Sequence, residues 1–205
     1  VRSRSPSESE ARFDEAYYAR FYGAPKTRVH GPKEVGQLGR GLVAMIGWYG
    51  GTVRSVLEVG AGVGLLRDWF RRAHPTVRYV STEYSPYAAA RYGHEPRDIT
   101  TWRDKRQFDL VVCQGVLPYL SDRGALAAID NLAAMARGFL YLEAITLRDY
   151  ETAADKSKTD AGMRLRTAAF YRRRLQRHFD AVGGGLFYKK DGPLVFWDLE
   201  TVGSR

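Results

Sequence analysis

The sequence predicts an α/β fold: a doubly wound sheet of about seven strands, parallel except for an antiparallel hairpin at its C-terminal end. Three observations carry this reading. From residue 54 onward, short apolar runs alternate with helix-period segments, the pattern of βαβ units. The first of those runs, residues 55–59, opens into the glycine-rich turn Gly60-Ala61-Gly62-Val63-Gly64, where the backbone can pass close to a ligand. The chain closes with apolar runs at 186–189 and 194–199 joined by Asp191-Gly192, a dipeptide that favours a tight antiparallel turn.

Residues 1–11 are rich in Ser, Arg and Glu without an apolar period, and are expected to be loose. Phe13, Tyr17, Tyr18, Phe21 and Tyr22 then crowd together at spacings that suit one face of a short helix. Gly23, Pro25, Gly31 and Pro32 break the chain before a helix over 34–49, which Gly50 and Gly51 end. After the strand at 55–59, a helix runs through Leu66, Trp69 and Phe70. A second strand at 77–82 leads to Glu83 and a helix over 87–92, and a short third strand lies near 95–97. A fourth strand at 108–113, a helix rich in Ala and Leu at 122–136 and a fifth strand at 139–142 follow. Residues 146–161 are polar and irregular, and their place after a central strand makes them a candidate lid. A helix over 163–179 precedes the final two strands. The expected organisation is a tail and aromatic cap segment over 1–34, then the main domain over 35–205 with a lid-like insert around 146–161.

With 205 residues the chain closes one substantial core and has no room for two ordinary domains. Hydrophobic residues at 44% and charged residues at 27% exclude wholesale disorder. Apolar runs such as 110–112 and 139–142 fall far short of the ~20 residues of a membrane span, so no membrane partner is expected. The polar N-terminal residues lack the apolar centre of a secretion signal, which makes a cytoplasmic location the expectation. Cys113, the single cysteine, sits in an apolar run and reads as a buried structural thiol. His30, His74, His94 and His178 follow no metal-ligand spacing, so no metal is expected. The net charge of +9 raises a nucleic-acid partner. Its densest cluster, Arg164, Arg166, Arg172, Arg173, Arg174 and Arg177, reads as one helix, but Arg is scattered along the whole chain and a solvated surface is favoured. A monomer or homodimer is expected.

The glycine turn narrows the ligand. A dinucleotide fingerprint wants Gly or Ala directly after Gly64, and Leu65 stands there. Glu58, two residues before Gly60, repels a pyrophosphate but attracts the ammonium and sulfonium of a methionine moiety. Glu83 ends the next strand, where doubly wound folds meet a ribose, and its carboxylate can accept both diol hydroxyls.

Over residues 35–199 the sequence resembles the class I S-adenosylmethionine-dependent methyltransferases, with their Rossmann-like fold. The resemblance implies that Glu58, Gly60, Ala61, Gly62 and Gly64 hold the amino-acid end of S-adenosylmethionine. It implies further that Glu83 and neighbouring Tyr84 meet the ribose, that Asp98 and Ile99 meet the adenine, and that Gln114 and Gly115 stand beside the methyl group. The run ending in Cys113-Gln114 lacks the Asn/Asp-Pro-Pro-aromatic motif of amino-nucleobase enzymes, and no Pro precedes Cys113 as it does beside the nucleophile of pyrimidine C5 enzymes. What remains resembles the small-molecule branch, whose Val-Leu-x-His-Leu reads here Val116-Leu117-Pro118-Tyr119-Leu120. The implied activity is methyl transfer to an O, N or C nucleophile of a small-molecule acceptor. An RNA or protein methyltransferase using the Arg-rich helix, and a non-catalytic cofactor-binding protein, are the alternatives. Tyr119 and Glu143, at the end of the fifth strand, are the candidate catalytic residues. Tyr17, Tyr18 and Tyr22 join Tyr119 as candidate substrate-binding residues, because aromatic faces pack planar groups and stabilise cations.

Overall fold

One seven-stranded sheet organises the chain, in the order β3-β2-β1-β4-β5-β7-β6. Its strands are β1 (Ser55–Val59), β2 (Arg78–Glu83), β3 (Glu95–Pro96), β4 (Phe108–Gln114), β5 (Ala136–Glu143), β6 (Phe179–Gly183) and β7 (Leu186–Lys189). The first five run parallel, and β7 is antiparallel to both β5 and β6. The computed structural model describes residues 12–23, 28 and 30–202, and the tail expected at 1–11 lies outside the described residues.

The helices are α1 (Glu15–Tyr18), which widens into a π turn over Ala19–Gly23, α2 (Pro32–Trp48), α3 (Leu65–Ala73), α4 (Pro86–Tyr92), α5 (Asp122–Met135), α6 (Leu147–Thr152) and α7 (Ala168–Leu175). Local chemistry sets their starts. Pro32 opens α2, and the Gly31 N–H donates to the Glu34 carboxylate at 2.9 Å. Ser85 and Ser121 cap α4 and α5, their hydroxyls accepting from Ala88 N and Gly124 N. No helix among the described residues is long and apolar enough to cross a membrane.

Both faces of the sheet are covered. Leu57, Val111 and Leu140 meet Ile129, Leu132 and Leu175 in one buried layer, while Val56, Leu110 and Phe139 meet Leu42, Ile46 and Phe70 in the other. Double coverage is why the central strands read as unbroken apolar runs. Cys113 lies wholly inside the first layer, and burial pushes its thiol up to about 12.

The C-terminal hairpin forms one element earlier than the sequence suggests. β6 and β7 pair across Gly184 and Gly185, whose φ values of 58° and 80° supply the doubly left-handed turn that twisted hairpins favour. Residues 194–199 form no strand. Asp191, at φ 63°, does turn the chain there, but Phe196 beyond it packs on Tyr49 and Tyr188 instead of pairing. The helix expected over 163–179 shrinks to α7, because Phe179 is drawn into the sheet as the first residue of β6. The insert at 146–161 contains α6, started by Thr146, whose hydroxyl accepts from Asp149 N.

Candidate active site

The strand order reverses between β1 and β4, and the crevice at their carboxyl ends is where open α/β sheets bind ligands. The glycine turn fills that crevice. Gly60, Gly62 and Gly64 are all left-handed, with φ of 75°, 56° and 81°. A Cβ on Gly60 would stand 2.2 Å from Val116 Cγ2, so this position excludes any side chain. Gly60 N and Ala61 N both donate to Thr82 O at 3.0 Å, tying the turn to β2.

Beneath the turn lies a support that sequence reasoning missed. Buried His94 meets Gly62 O through Nε2 at 3.1 Å, and Ser81 Oγ and Arg67 Nη1 through Nδ1 at 2.8 and 3.3 Å. Burial, with help from the Arg67 charge, lowers the His94 pKa to about 4. The neutral ring therefore donates from Nε2 to the turn and accepts at Nδ1. A lone histidine at no recognisable spacing carried no signal of this.

Two buried carboxylates flank the turn. Glu58 accepts a hydrogen bond from Tyr79 OH at 2.8 Å and has no ion-pair partner among the described residues. Burial pushes its pKa up to about 8, against the opposing pull of the Tyr79 hydrogen bond and Arg67. Glu83 Oε2 accepts from Gly62 N at 2.8 Å, and Oε1 from Tyr84 N and Ser85 N at 2.7 and 3.1 Å. Burial raises its pKa while those backbone donors lower it. A buried carboxylate without a cation beside a glycine cradle, and a second fixed by backbone donors at the neighbouring strand end, fit a cationic ligand carrying a vicinal diol.

Two connected cavities extend from here. One, about 290 Å³, is lined by Glu83, Tyr84, Asp98 and Ile99, with Tyr18 over it. The other, about 210 Å³, is lined by Glu58, Ala61 and Glu143. Gly60, Gln114, Gly115, Tyr17, Tyr22 and Tyr119 border both. Gly62 lines the first cavity alone, and of the residues singled out in the sequence only Gly64 lines neither, serving instead to turn the chain into α3. Asp98 is also a turn residue: its Oδ1 accepts from Thr100 N and Oγ1 at 2.8 and 2.7 Å, and Oδ2 takes no hydrogen bond among the described residues.

Tyr119 sits on a 3₁₀ turn, Leu117–Tyr119, directly after β4. Its hydroxyl shares a 3.0 Å hydrogen bond with Tyr17 OH, and Phe13 meets its ring edge-on at 5.1 Å. Burial first, and the interaction between the two phenols second, raise the Tyr17 pKa far above the phenol range, and burial does the same for Tyr119. Neither phenol is a base near neutral pH. Tyr18 stacks on Tyr87 and lines only the Glu83 cavity, while the Tyr22 ring lies about 3.5 Å from where a Gly62 side chain would begin. Tyr17 alone of the three cap tyrosines meets Tyr119 directly.

The 3₁₀ turn is held by an unexpected residue. Arg166, read from sequence as part of a basic helix face, is buried. It donates to Leu117 O at 3.1 Å, Leu120 O at 2.5 Å and Asp122 Oδ1 at 2.9 Å. Arg174 and His178 are taken by Asp130, so the six-arginine cluster is not one free stripe, and Arg164 and Arg166 precede the helix on which it was expected. Cap and insert also meet: Arg12 pairs with Asp160 at 2.6 Å and donates to Gly162 O at 2.9 Å. Glu143 ends β5 opposite Gln114, whose Nε2 donates to Glu143 Oε2 at 3.0 Å. His30 Nε2 stands 4.0 Å from Glu143 Oε1 on the rim, a second residue that the sequence did not single out for the site.

Comparison with known proteins agrees with this geometry. Residues 57–138, from β1 to β5, match the family model of a methyltransferase domain. No curated protein matches the chain. The fold is shared with the N-methyltransferase NodS of Bradyrhizobium japonicum, solved with S-adenosylhomocysteine (18% identity, TM-score 0.61, 90% of this chain and 100% of that one). It is shared also with DesVI of Streptomyces venezuelae (16%, 0.58, 77% and 92%) and the magnesium protoporphyrin IX methyltransferase ChlM of Synechocystis with bound S-adenosylmethionine (17%, 0.53, 91% and 97%). The match to a methyltransferase domain spans the glycine turn and the strands on either side of it, and the fold is one that methyltransferases share. Two of these structures, NodS and ChlM, hold S-adenosylhomocysteine or S-adenosylmethionine.

Proposed function

We propose that this chain is an S-adenosylmethionine-dependent methyltransferase of class I that acts on a small-molecule acceptor, at an O, N or C nucleophile, held in the cavity between Tyr119, Glu143 and the cap. The observation that carries the reading is the roof. Residues 12–23 and 156–163 meet over the crevice through the Arg12 contacts to Asp160 and Gly162, and a chamber of about 210 Å³ under such a roof suits a small molecule better than a nucleic-acid strand or a folded protein surface.

In this reading Glu58, Gly60, Ala61, Gly62 and Gly64 hold the amino-acid end of the cofactor, Glu83 and Tyr84 its ribose, and Asp98 and Ile99 its adenine. Gln114 and Gly115 border the transfer path, and Tyr18 and Tyr22 cover the cofactor from the cap. The bound cofactor supplies an electrophilic methyl group whose departure leaves a neutral thioether. The chain's own task is positioning, worth as much as ~7–11 kcal/mol when the reacting atoms are held in near-attack geometry. Tyr17 and Tyr119, kept neutral by burial, orient the acceptor by hydrogen bonding, and the roof shields the cap side of the chamber while Glu143 stays open to solvent at the rim. Tyr119→Phe is expected to lower kcat/KM roughly three- to tenfold, the worth of one neutral hydrogen bond, with no change in pH profile. A loss above a thousandfold with a displaced pH limb would instead make the hydroxyl a base.

Incubation with methyl-labelled cofactor and separate metabolite, RNA and protein fractions tests the whole reading. Label in metabolites is expected. Label confined to RNA or protein overturns it.

A further inference from the structure

We infer that the acceptor is an amine, bound as its ammonium ion by Glu143, which then takes its proton. The inference rests on the small-molecule reading above and deepens it.

The argument is one of charge left over. Of the other charged groups lining the 210 Å³ cavity, Asp160 is neutralised by Arg12 and Lys158 is paired with Asp155 at 3.3 Å. Glu58 is buried at the glycine turn and belongs to the cofactor end. Glu143 has no Lys or Arg in ion-pair range among the described residues, and the nearest basic side chain is His30, with Nε2 at 4.0 Å. Its carboxylate is nonetheless fixed. Oε2 accepts from Gln114 Nε2 at 3.0 Å and from Tyr141 OH at 3.1 Å, which leaves Oε1 as the atom nearer His30. The groups facing it are therefore Tyr141 on its own strand, Gln114 on β4, His30 before α2 and the Tyr22 hydroxyl from the cap.

The remaining walls are apolar, with Tyr17, Phe21 and Tyr119 on the cap side and Val35, Leu66 and Ile145 among the aliphatic residues. Aromatic faces around a single oriented carboxylate attract an ammonium ion and repel carboxylate or phosphate acceptors. An ammonium nitrogen has no lone pair, so it must lose a proton before transfer. That proton passes to Glu143, and from there to solvent at the rim, where Glu143 and His30 are 45% and 41% exposed. The freed lone pair forms the N–C bond as the C–S bond of the donor breaks and leaves its electron pair on sulfur. The products are the N-methyl ammonium ion, the neutral thioether and one released proton.

The test uses the full chain, S-adenosylmethionine carrying a ¹³C methyl group, and a low-molecular-weight extract of host cells. The carbon shift of the transferred methyl distinguishes N–CH₃ from O–CH₃ and C–CH₃. Label on nitrogen is expected. Label on oxygen or carbon overturns the amine inference and leaves the small-molecule reading intact, whereas label found only in RNA or protein removes both. With the labelled amine in hand, Glu143→Gln keeps the shape and the Tyr141 contact but not the charge. We expect kcat/KM to fall ~10²-fold, as loss of a proton acceptor does, while cofactor Kd stays within about twofold. Wild-type kcat/KM in that variant overturns the role of Glu143.

Discussion

At the scale of single residues, the site is built on carboxylates that the fold has stripped of water. Glu58 titrates near 4.5 when solvated and near 8 in the folded chain, so between those values the unfolded state holds fewer protons than the folded one. Stability of the cofactor-free protein therefore falls as pH rises through that window. A cation docking beside Glu58 favours its ionised form, so cofactor binding at pH 7 should release a proton. Calorimetry in buffers of different ionisation enthalpy will show the release, and Glu58→Gln should abolish it. An equal enthalpy in all buffers would mean that Glu58 does not face the cofactor. Glu83 differs, because it already satisfies three backbone N–H groups. Glu83→Ala should therefore cost both affinity, roughly tenfold or more, and stability, ~1–3 kcal/mol from buried donors left unpaired. Lost affinity without lost stability would contradict the observed bonding. Both acids were legible in the sequence, because their places at strand ends are fixed by chain order. His94, His30 and Arg166 were not, since their partners lie far along the chain and only folding brings them together.

At the scale of elements, the central strands β1, β4 and β5 were readable because a strand buried on both faces must be apolar through most of its length. Of the last two strands expected, 186–189 is β7, and its hairpin partner was misread for a physical reason. Gly183-Gly184-Gly185 and Asp191-Gly192 can both reverse a chain, and the choice between them falls to packing, which puts Phe179 and Leu186 in the core and leaves Val195, Trp197 and Leu199 exposed. The arginines before and along α7 misled in the same way, since a charged residue reads as surface until a buried carbonyl claims it. Arg166 anchors the turn that carries Tyr119, and its forked guanidinium reaches Leu117 O and Leu120 O together. A lysine ammonium cannot reproduce that fork. Arg166→Lys should keep the fold and the cofactor Kd yet lower kcat/KM about tenfold, and Arg166→Ala should in addition lose ~1–3 kcal/mol of stability. Unchanged kcat/KM in the lysine variant would show that the turn holds itself.

At the scale of the whole molecule, the crevice lies between the sheet and a cap that docks through Phe13, Tyr17 and Tyr18 and meets the insert through Arg12. S-adenosylmethionine and its demethylated product should each stabilise the fold by ~2.7 kcal/mol at a hundredfold excess over Kd, read as a rise in Tm, and NAD should not. Stabilisation by NAD alone would contradict the placement of Glu58. The shared wall of the two cavities has a further consequence for turnover. Tyr17 and Tyr22 line both chambers, so on the proposed reading a cap lowered over bound acceptor also holds back the spent cofactor. Addition and release should then be ordered, with the thioether last out, and an acceptor molecule that enters before it departs should form a dead-end complex. High acceptor concentration should therefore slow the steady-state rate, and breaking the Arg12–Asp160 latch should relieve that inhibition by letting the cap rise more often.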